Sequence, residues 1–425
     1  MKQLKRGSTG PYVQTLQLAL SRSGYYGGEL DGIFGDSTLA AVQSFQANLG
    51  LTPDGVVGTL TWERLAPYLR GYFVYTVKAG DTLYALAQRF NISDAALKTA
   101  NPDTDPQKLR IGQKLTIPYP FALVPTNISY TYDLVSFIID GIVARYPFIT
   151  RGEIGKSVMG KSLYSLQIGE GEKEVFYNAA HHANEWITTP LVLKFAERYA
   201  DAVAMGQNIG GQSAQNLFER TTLYIVPLVN PDGVDLVTGA LTDGEYYDRA
   251  VSFAQSYPDI PFPDGWKANI EGIDTNLSYP AEWEDAREIK FAAGYDRPGP
   301  RDFVGDAPLD AVESRAVYDF TLSRSFALTL SYHTQGEVIY WRFLDYLPPR
   351  SFEIAQRFAQ VSGYTAEETP YASGFAGYKD WFIQNYNLPG YTIEAGRGEN
   401  PLPVEQFDRI YADNIGILVQ GLLQA

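Results

Sequence analysis

The sequence predicts an α/β protein in which a large C-terminal domain with a mixed or parallel sheet follows two small domains. From about residue 122 to residue 425, short apolar runs of β type alternate with segments of helical period, which is typical of an α/β fold with an internal sheet. Residues 1–70 carry helical patterns, and residues 73–119 carry two short β-type runs around two helical segments. The predicted domains are therefore 1–70, 73–119 and 122–425.

The charge and composition of the chain exclude several classes of function. The formal net charge of the 425 residues is -15, so there is no basic stripe to neutralise nucleic-acid phosphates. The chain has no cysteine, which excludes disulfides, a thiol nucleophile and cysteine-bound metals. No run approaches 18 apolar residues, and the first residues lack the apolar segment of a secretory signal, so we predict neither a membrane span nor a signal peptide.

The first predicted domain contains a short internal repeat. The segments LDGIFGDSTLAAVQSFQ, from Leu30, and TPDGVVGTLTWERLAPY, from Thr52, both place Asp-Gly, an apolar pair and Gly ahead of a helical pattern. By itself, this repeat indicates a small three-helix domain with two similar turns. Its spacing also resembles the peptidoglycan-binding domain of bacterial wall hydrolases, and the resemblance implies binding to that polymer.

The second predicted domain has the order βααβ, with YTV and KLTIP as its strands. The motifs GDTL and NP stand where the LysM family has them, and the whole segment resembles a LysM domain. The resemblance implies that Gly80, Asp81, Thr82, Asn101 and Pro102 contact N-acetylglucosamine, through backbone groups of their loops. Taken alone, Gly-Asp-Thr would indicate an ordinary turn with a helix cap.

The three histidines of the chain indicate a metal site in the third predicted domain. His182 and Glu185 follow the apolar run EVFYNAA, His333 ends FALTLSYH, and Glu394 ends GYTIE. Open α/β sheets place their sites at the carboxyl ends of such strands. Two imidazoles and one carboxylate leave a fourth position for water, which is typical of catalytic zinc. Neighbouring residues of an extended segment point in opposite directions, so we expect His181 to serve packing or a hydrogen bond rather than ligation.

The motifs HHANEWITTP, VNPDGVDL, GIDTNLSYP, SYHTQGEVIYW and GYTIEAG follow one another as in the zinc carboxypeptidases of the carboxypeptidase A type. This resemblance covers essentially all of the third domain and implies a carboxypeptidase A-like fold with one zinc ion per chain. It also implies that the ion is held by His182, Glu185 and His333.

The same resemblance implies roles for four further residues. Glu394 corresponds to the general base and acid, and Asn276 lies in the loop that contacts the substrate. Lys267, in WKAN, stands where the family usually has an arginine that polarises the scissile carbonyl. Tyr371 lies one residue away from the position of the family's mobile tyrosine. The chemistry agrees, since a cation near the carbonyl offsets the developing oxyanion charge and a carboxylate can carry the proton.

Three departures from the family pattern predict an unusual substrate. Family members that remove C-terminal residues hold the terminal carboxylate with an arginine where this chain has Leu277, so that clamp is missing. Asn184 also replaces an arginine that many relatives carry. Lys379, in GYKDWF, supplies a cation near the specificity position, although a solvated surface lysine is an equally simple interpretation.

A chain that combines these departures with the two predicted wall-binding domains resembles the γ-D-glutamyl-diamino acid endopeptidases of spore-forming bacteria. That resemblance implies hydrolysis between D-Glu and diaminopimelate or Lys in peptidoglycan stem peptides, with release of L-Ala-γ-D-Glu. We therefore expect glycan strands and stem peptides as partners, without nucleic acid or membrane, at the cell wall or the spore or in the cytoplasm of a sporulating cell. The alternatives are a zinc carboxypeptidase of ordinary peptides and a non-catalytic wall-binding protein.

Overall fold

The structure is a computed structural model that describes residues 1–425. The chain forms two compact units, residues 1–150 with 197–207, and residues 151–196 with 208–425. None of the helices combines the length and the apolar character needed to cross a bilayer.

The first unit contains the helical and βααβ arrangements that the sequence predicts, followed by one further helix. Its β-strands β1 and β2 pair antiparallel, and α4 and α5 enclose a small core with them that includes Leu86, Leu97 and Ile117. The elements of this unit are α1 (Pro11–Arg22), α2 (Asp36–Asn48), α3 (Thr59–Arg70), β1 (Tyr72–Thr76), α4 (Leu83–Arg89), α5 (Asp94–Thr99), β2 (Lys114–Pro118) and α6 (Tyr132–Arg145).

The internal repeat of the first unit has a physical basis in two buried glutamines. Gln17 accepts a hydrogen bond from the backbone N–H of Gly32 at 2.9 Å and donates to Asp31 at 2.7 Å. Gly32 has a positive φ of 71°, which explains why glycine follows the aspartate. The same two contacts recur in the second half of the repeat, at 2.9 and 3.0 Å, between Gln46, Gly55 and Asp54. The repeat is therefore one of hydrogen-bonded turns.

The segment that follows β2 is held by two buried or partly buried arginines. Arg145, on α6, donates to the backbone carbonyls of Tyr119 and Phe121 in this segment and to that of Gly71 before β1. Arg22, on α1, donates at 2.8 Å to two further carbonyls of the same segment. Because these bonds satisfy carbonyls that would otherwise need water, the segment packs as part of the first unit and is not a free linker.

The second unit is built around one large sheet. Its elements, together with the helix shared between the units, are β3 (Thr150–Lys156), β4 (Ser162–Ile168), β5 (Lys173–Ala179), α7 (Thr188–Ala204), β6 (Asn208–Ile209), β7 (Gln212–Ser213), α8 (Ala214–Arg220), β8 (Thr221–Val226), α9 (Pro231–Val237), α10 (Glu245–Ala254), α11 (Trp283–Ala292), α12 (Val312–Leu322), β9 (Phe326–His333), β10 (Val338–Tyr340), α13 (Ser351–Ser362), β11 (Thr365–Glu367), α14 (Tyr378–Tyr386), β12 (Gly390–Glu394) and α15 (Phe407–Gln424), with short 3₁₀ turns at Ala183–Glu185, Tyr371–Ser373 and Val404–Gln406.

The large sheet has eight strands in the order β11-β10-β12-β9-β5-β8-β4-β3. The four central strands, β12, β9, β5 and β8, run parallel, whereas β10 and β4 are antiparallel to their central neighbours. This arrangement confirms the predicted mixed sheet of an α/β domain. The carboxyl ends of β5, β9 and β12 meet at one edge, which brings the histidine-bearing segments together.

Candidate metal centre and substrate cleft

Three side chains converge just beyond the carboxyl ends of β5 and β9. His333 is the last residue of β9, and His182 lies three residues after the end of β5. Glu185 closes the 3₁₀ turn that follows His182, so the turn brings these two side chains to the same side. Glu185 and His333 are buried, and His182 is nearly so. Candidate ligands that are distant in sequence therefore meet because parallel strands end at the same edge.

The distances within this cluster fit a zinc ion. Nδ1 of His182 lies 2.9 Å from Oε1 of Glu185, and Nδ1 of His333 lies 2.9 Å from Oε2 of the same carboxylate. The two imidazole Nδ1 atoms are 3.2 Å apart. Zinc binds such atoms at about 2.0–2.2 Å, so the ligand atoms of a tetrahedral site lie about 3.3 Å from one another. These three residues form the group of His, Asp and Glu side chains that can hold a metal ion.

Two charged neighbours support the cluster. Oδ1 of Asp274 lies 3.1 Å from Nε2 of His182, which orients the ring and leaves Nδ1 facing the cluster. Nζ of Lys267 donates to Oε1 of Glu185 at 2.9 Å. Burial alone would raise the pKa of Glu185, but the charges of His182 and Lys267 hold it well below its ordinary value. The carboxylate therefore stays ionised, the form that can bind a metal ion.

His181 points away from the cluster, as the alternation of neighbouring residues predicts. Its ring is fully buried, and Nε2 lies 2.9 Å from the hydroxyl of Tyr279. Its backbone carbonyl accepts hydrogen bonds from Thr275 Oγ1 at 2.6 Å and from Asn230 Nδ2 at 3.1 Å. His181 thus anchors the turn that carries His182.

Glu394 stands beside the metal cluster on the neighbouring strand. It is the last residue of β12 and pairs in register with His333 of β9. Its carboxylate lines the cleft and forms no hydrogen bond with another residue of the chain. Burial, aided by the negative charge of Glu185 and opposed by Lys267, raises the pKa of Glu394 to about 8. A carboxyl group in this setting can both accept and return a proton.

A cleft of about 650 Å³ opens over these residues. Six residues that the sequence predicts to act in metal binding, catalysis or substrate contact line it together, and Glu185 lies buried beneath them. They are His182, Lys267, Asn276, His333, Lys379 and Glu394. The apolar side chain of Leu277 lines the cleft as well.

Tyr371 does not line this cleft. Its side chain is 72% exposed in the 3₁₀ turn that precedes α14, and its ring packs edge-on against Phe375 with centroids 5.0 Å apart. It lines a smaller cavity of about 310 Å³ with Arg342 and Thr369. The role in substrate contact that the resemblance implies for Tyr371 therefore stays a prediction.

Lys379 is a buried cation whose donors already have partners. Only 4% of its side chain is exposed, and Nζ donates to the carbonyl of Arg342 at 2.7 Å and to Thr369 Oγ1 at 3.1 Å. Its ammonium also lies 2.5 Å from a carboxylate oxygen of Asp380. Lys379 is thus not a solvated surface lysine, and its charge is balanced by an adjacent carboxylate.

The loop that carries Asn276 is fixed by several hydrogen bonds. Oδ1 of Asn276 accepts from the backbone N–H of Tyr378 at 3.0 Å, which ties the loop to α14. The backbone N–H of Asn276 donates to Asp274 at 3.1 Å. On the opposite lining segment, the Asn184 amide donates to the carbonyl of Asp264 at 3.0 Å. Neither amide side chain carries a positive charge.

Some cleft residues were not singled out from the sequence. Asp274 is contained in the motif GIDTNLSYP, two residues before Asn276, but nothing in that motif alone indicates its contact with His182. Arg301 and Tyr340 also line the cleft. No sequence signal marks Arg301, because it lies in an irregular loop between α11 and α12.

The residues predicted to bind sugar lie on two loops of the first unit. Gly80 has a φ of 86°, Asp81 accepts from Lys78 N at 2.7 Å, and Thr82 caps α4. The amide of Asn101, which precedes the exposed Pro102, bonds to the backbone of β2 through both its nitrogen and its oxygen. Because the polar side chains serve the loops themselves, sugar contacts here would have to use backbone groups.

Comparison with known families divides the chain into three matched regions. The zinc carboxypeptidase family model matches residues 136–416. A peptidoglycan-binding domain model matches residues 9–65, and a LysM model matches residues 75–118. The two N-terminal matches indicate binding to peptidoglycan.

Individual proteins match in the same way. The chain is 41% identical over 399 residues to gamma-D-glutamyl-L-diamino acid endopeptidase 1 of Lysinibacillus sphaericus, which covers 81% of this chain and 98% of that protein. It is 40% identical over 83 residues to the spore cortex-lytic enzyme of Bacillus subtilis (strain 168), covering 19% of this chain and 27% of that enzyme. The solved carboxypeptidase A from Helicoverpa armigera superposes with a TM-score of 0.53 at 18% identity, covering 79% of this chain and 80% of the other, which shows a shared fold.

Proposed function

The chain belongs to the zinc carboxypeptidase family, and we propose that it hydrolyses the bond between γ-D-glutamate and the diamino acid in peptidoglycan stem peptides. It is a metallopeptidase, and its cofactor is zinc. The observation that carries the proposal is the cluster of His182, Glu185 and His333 at the floor of a cleft whose usual carboxylate clamp is replaced by Leu277.

In this proposal, the two histidines and Glu185 hold the ion. A zinc ion bound there supplies a Lewis acid for the scissile carbonyl and lowers the pKa of a bound water to about 7. Asp274 keeps the imidazole of His182 in the orientation that presents Nδ1, through the contact at 3.1 Å. Glu394 takes the proton from the attacking water and returns it to the leaving amine, because its carboxylate faces the cleft without a partner in the protein.

Lys267 stabilises the negative charge that develops on the carbonyl oxygen. Its ammonium lines the cleft, and it lies at hydrogen-bond distance from a metal ligand, 2.9 Å from Oε1 of Glu185. A cation fixed at this position acts more strongly than in water, since the Lys267 side chain is largely buried, with 18% exposed. The residue thus takes the place of the arginine that the family usually has.

The cleft fits a stem peptide better than the C-terminus of an ordinary peptide. Leu277 cannot bind a terminal carboxylate, so cleavage does not depend on a free C-terminus one residue beyond the scissile bond. Lys379 is the cation expected to meet a carboxylate of the stem peptide, either the α-carboxylate of D-Glu or one on the diamino acid, and such a contact would replace part of its contact with Asp380. Diaminopimelate carries such a second carboxylate. An ordinary carboxypeptidase activity would need a clamp from another residue, and a non-catalytic wall-binding protein would have no need of the intact cluster and Glu394.

The test is digestion of defined muropeptides followed by mass spectrometry. Stem peptides that begin with L-Ala-γ-D-Glu are expected to release that dipeptide, whether they end at the diamino acid or continue beyond it. Ordinary peptides with free C-termini are expected to be poor substrates. Stepwise trimming of ordinary peptides, with stem peptides left intact, would instead indicate a carboxypeptidase with its clamp elsewhere.

The N-terminal domains hold the enzyme on peptidoglycan, at the cell wall or on the spore. Their domain matches and the partial similarity to a spore cortex-lytic enzyme support this location. Gly80, Asp81, Thr82, Asn101 and Pro102 supply the two loops that bind N-acetylglucosamine.

We expect soluble N-acetylglucosamine oligomers to slow hydrolysis of insoluble sacculi and to leave hydrolysis of soluble stem peptides unchanged. Tethering to glycan raises the effective concentration of stem peptides only on the polymer. The rates on the two substrates are to be compared in the same preparation, because deleting residues 1–119 would remove the partners of Arg145. Equal inhibition of hydrolysis on sacculi and on soluble stem peptides would instead indicate that the sugar binds in the catalytic cleft.

A further inference from the structure

One cation of the cleft, Arg301, has no role in the chemistry described above. Its position is fixed relative to Lys267, since the carbonyl of Pro300 accepts hydrogen bonds from the backbone N–H groups of Lys267 at 2.7 Å and of Ala268 at 3.0 Å. The segment that bears Arg301 therefore runs directly beside the segment that bears Lys267.

The same segment is tied to the metal cluster through the carboxylate of Asp274. The backbone N–H of Asp302 donates to Oδ2 of Asp274 at 3.1 Å, and Oδ1 of Asp274 contacts His182. Asp302 is also held from the other side, where Nζ of Lys290 donates to it at 2.6 Å. Hydrogen bonds therefore fix the loop that carries Arg301 relative to the residues of the metal cluster.

The guanidinium of Arg301 retains unused donors. Its Nε donates to Oδ2 of Asp302 at 2.6 Å, while the Nη groups donate no hydrogen bond to the protein. The side chain is 39% exposed and lines the cleft. Asp302 is shared between Arg301 and Lys290. A planar fork with free Nη groups suits a carboxylate ligand.

The other cations of the cleft are already engaged. Lys267 is bound to Glu185, Lys290 to Asp302, and Lys379 to Asp380 and two oxygen acceptors. Arg301 is therefore the cleft cation with free donors, and it stands beside the residue that faces the scissile carbonyl.

We propose that Arg301 binds the free α-carboxylate that a γ-linked glutamate carries on the acyl side of the scissile bond. The inference rests on the proposed function, and it names the substrate group by which the enzyme recognises the residue on the acyl side. In a γ-linkage, that carboxylate stands on the carbon reached from the scissile carbonyl through two methylene groups. In an ordinary α-linkage, the acyl residue has no free α-carboxylate at all. Arg301 thus distinguishes γ-linked from α-linked substrates.

The test compares two stem peptides that differ only in this group, one with the α-carboxylate of D-Glu free and one with it converted to the carboxamide. We expect the unaltered enzyme to prefer the carboxylate by about 10- to 100-fold in kcat/KM, as a hydrogen bond to a charged group implies. In Arg301→Met, the rate on the carboxylate should fall to the rate on the carboxamide, which itself should not change. Zinc content and the unfolding temperature are measured in parallel.

Arg297→Met is the matched control, because this arginine lies on the same loop, pairs with Asp296 and is outside the cleft. It should keep both rates. If Arg301→Met lowers the unfolding temperature, Arg301→Lys is used instead, because lysine keeps the positive charge near Asp302. Lysine lacks the two Nη donors of the guanidinium, so this variant should lose most of the preference for the carboxylate peptide.

The outcomes separate this inference from the proposed function. If the unaltered enzyme cuts both peptides equally, or if Arg301→Met keeps the preference, the carboxylate is not bound by Arg301 and only this inference is wrong. An equal fall of kcat/KM on both peptides in Arg301→Met would also contradict the inference. A residue that acts by binding the carboxylate cannot lower the rate on the carboxamide peptide to the same extent. If the unaltered enzyme leaves both peptides intact, the proposed function itself is wrong.

Discussion

Replacing Glu394 with glutamine is expected to lower kcat on stem peptides by at least about 100-fold, the usual contribution of a general base and acid. Glutamine has nearly the same shape, but it cannot accept the proton of the attacking water. The carboxylate of Glu394 forms no hydrogen bond with other residues, so the change breaks no contact of the folded protein. The loss should therefore appear in turnover rather than in folding.

The measurement is single-turnover and steady-state hydrolysis of a defined stem peptide, with the zinc content of each preparation. Glu394→Gln should retain the zinc content of the unaltered protein, because its side chain is not one of the three that form the cluster. Glu399→Gln is a matched control, since this carboxylate also lines the cleft but lies farther along the loop after β12. A near-normal rate in Glu394→Gln would contradict the mechanism, and so would an equal loss in both variants.

The central strands of the large sheet could be predicted from the sequence because they are buried on both faces. Runs such as FALTLSYH and GYTIE are apolar enough to stand out. The outer strands β3, β10 and β11 are short or half-exposed, and β3 and β11 contain no apolar run. Strand pairing that is stabilised by neighbours rather than by burial leaves no clear pattern in a single sequence.

The candidate site divides in the same way. His333 and Glu394 could be located because they end recognisable strands, and the turn after β5 supplies His182 and Glu185. Arg301 comes from an irregular loop, and its place in the cleft depends on the backbone bonds to Pro300, which no local pattern encodes. The presence of a cation at Lys379 near the cleft could be predicted from the sequence. Its burial could not, because the carbonyl of Arg342 and the hydroxyl of Thr369, to which it donates, belong to other segments that pack around α14.

The pair His181 and His182 offers the sharpest test of the metal centre. His182→Ala is expected to lose most of the zinc, because it removes Nδ1 from a cluster in which each ligand atom lies about 3 Å from the next. His181→Ala should keep the zinc, since its ring faces the Tyr279 hydroxyl at 2.9 Å and not the cluster. His333→Ala should behave like His182→Ala.

Zinc per chain, measured by elemental analysis on folded protein, decides the matter. The expected content is one ion for the unaltered protein and for His181→Ala, and close to none for His182→Ala. His181→Ala will cost stability, on the order of 1–3 kcal/mol, because the buried hydroxyl of Tyr279 loses its hydrogen bond to the imidazole. The unfolding temperature therefore has to be measured as well, so that a loss of fold is not mistaken for a loss of ligand. If His181→Ala empties a folded site while His182→Ala remains loaded, the two neighbouring histidines have the opposite roles, and the turn after β5 presents the other imidazole to the metal.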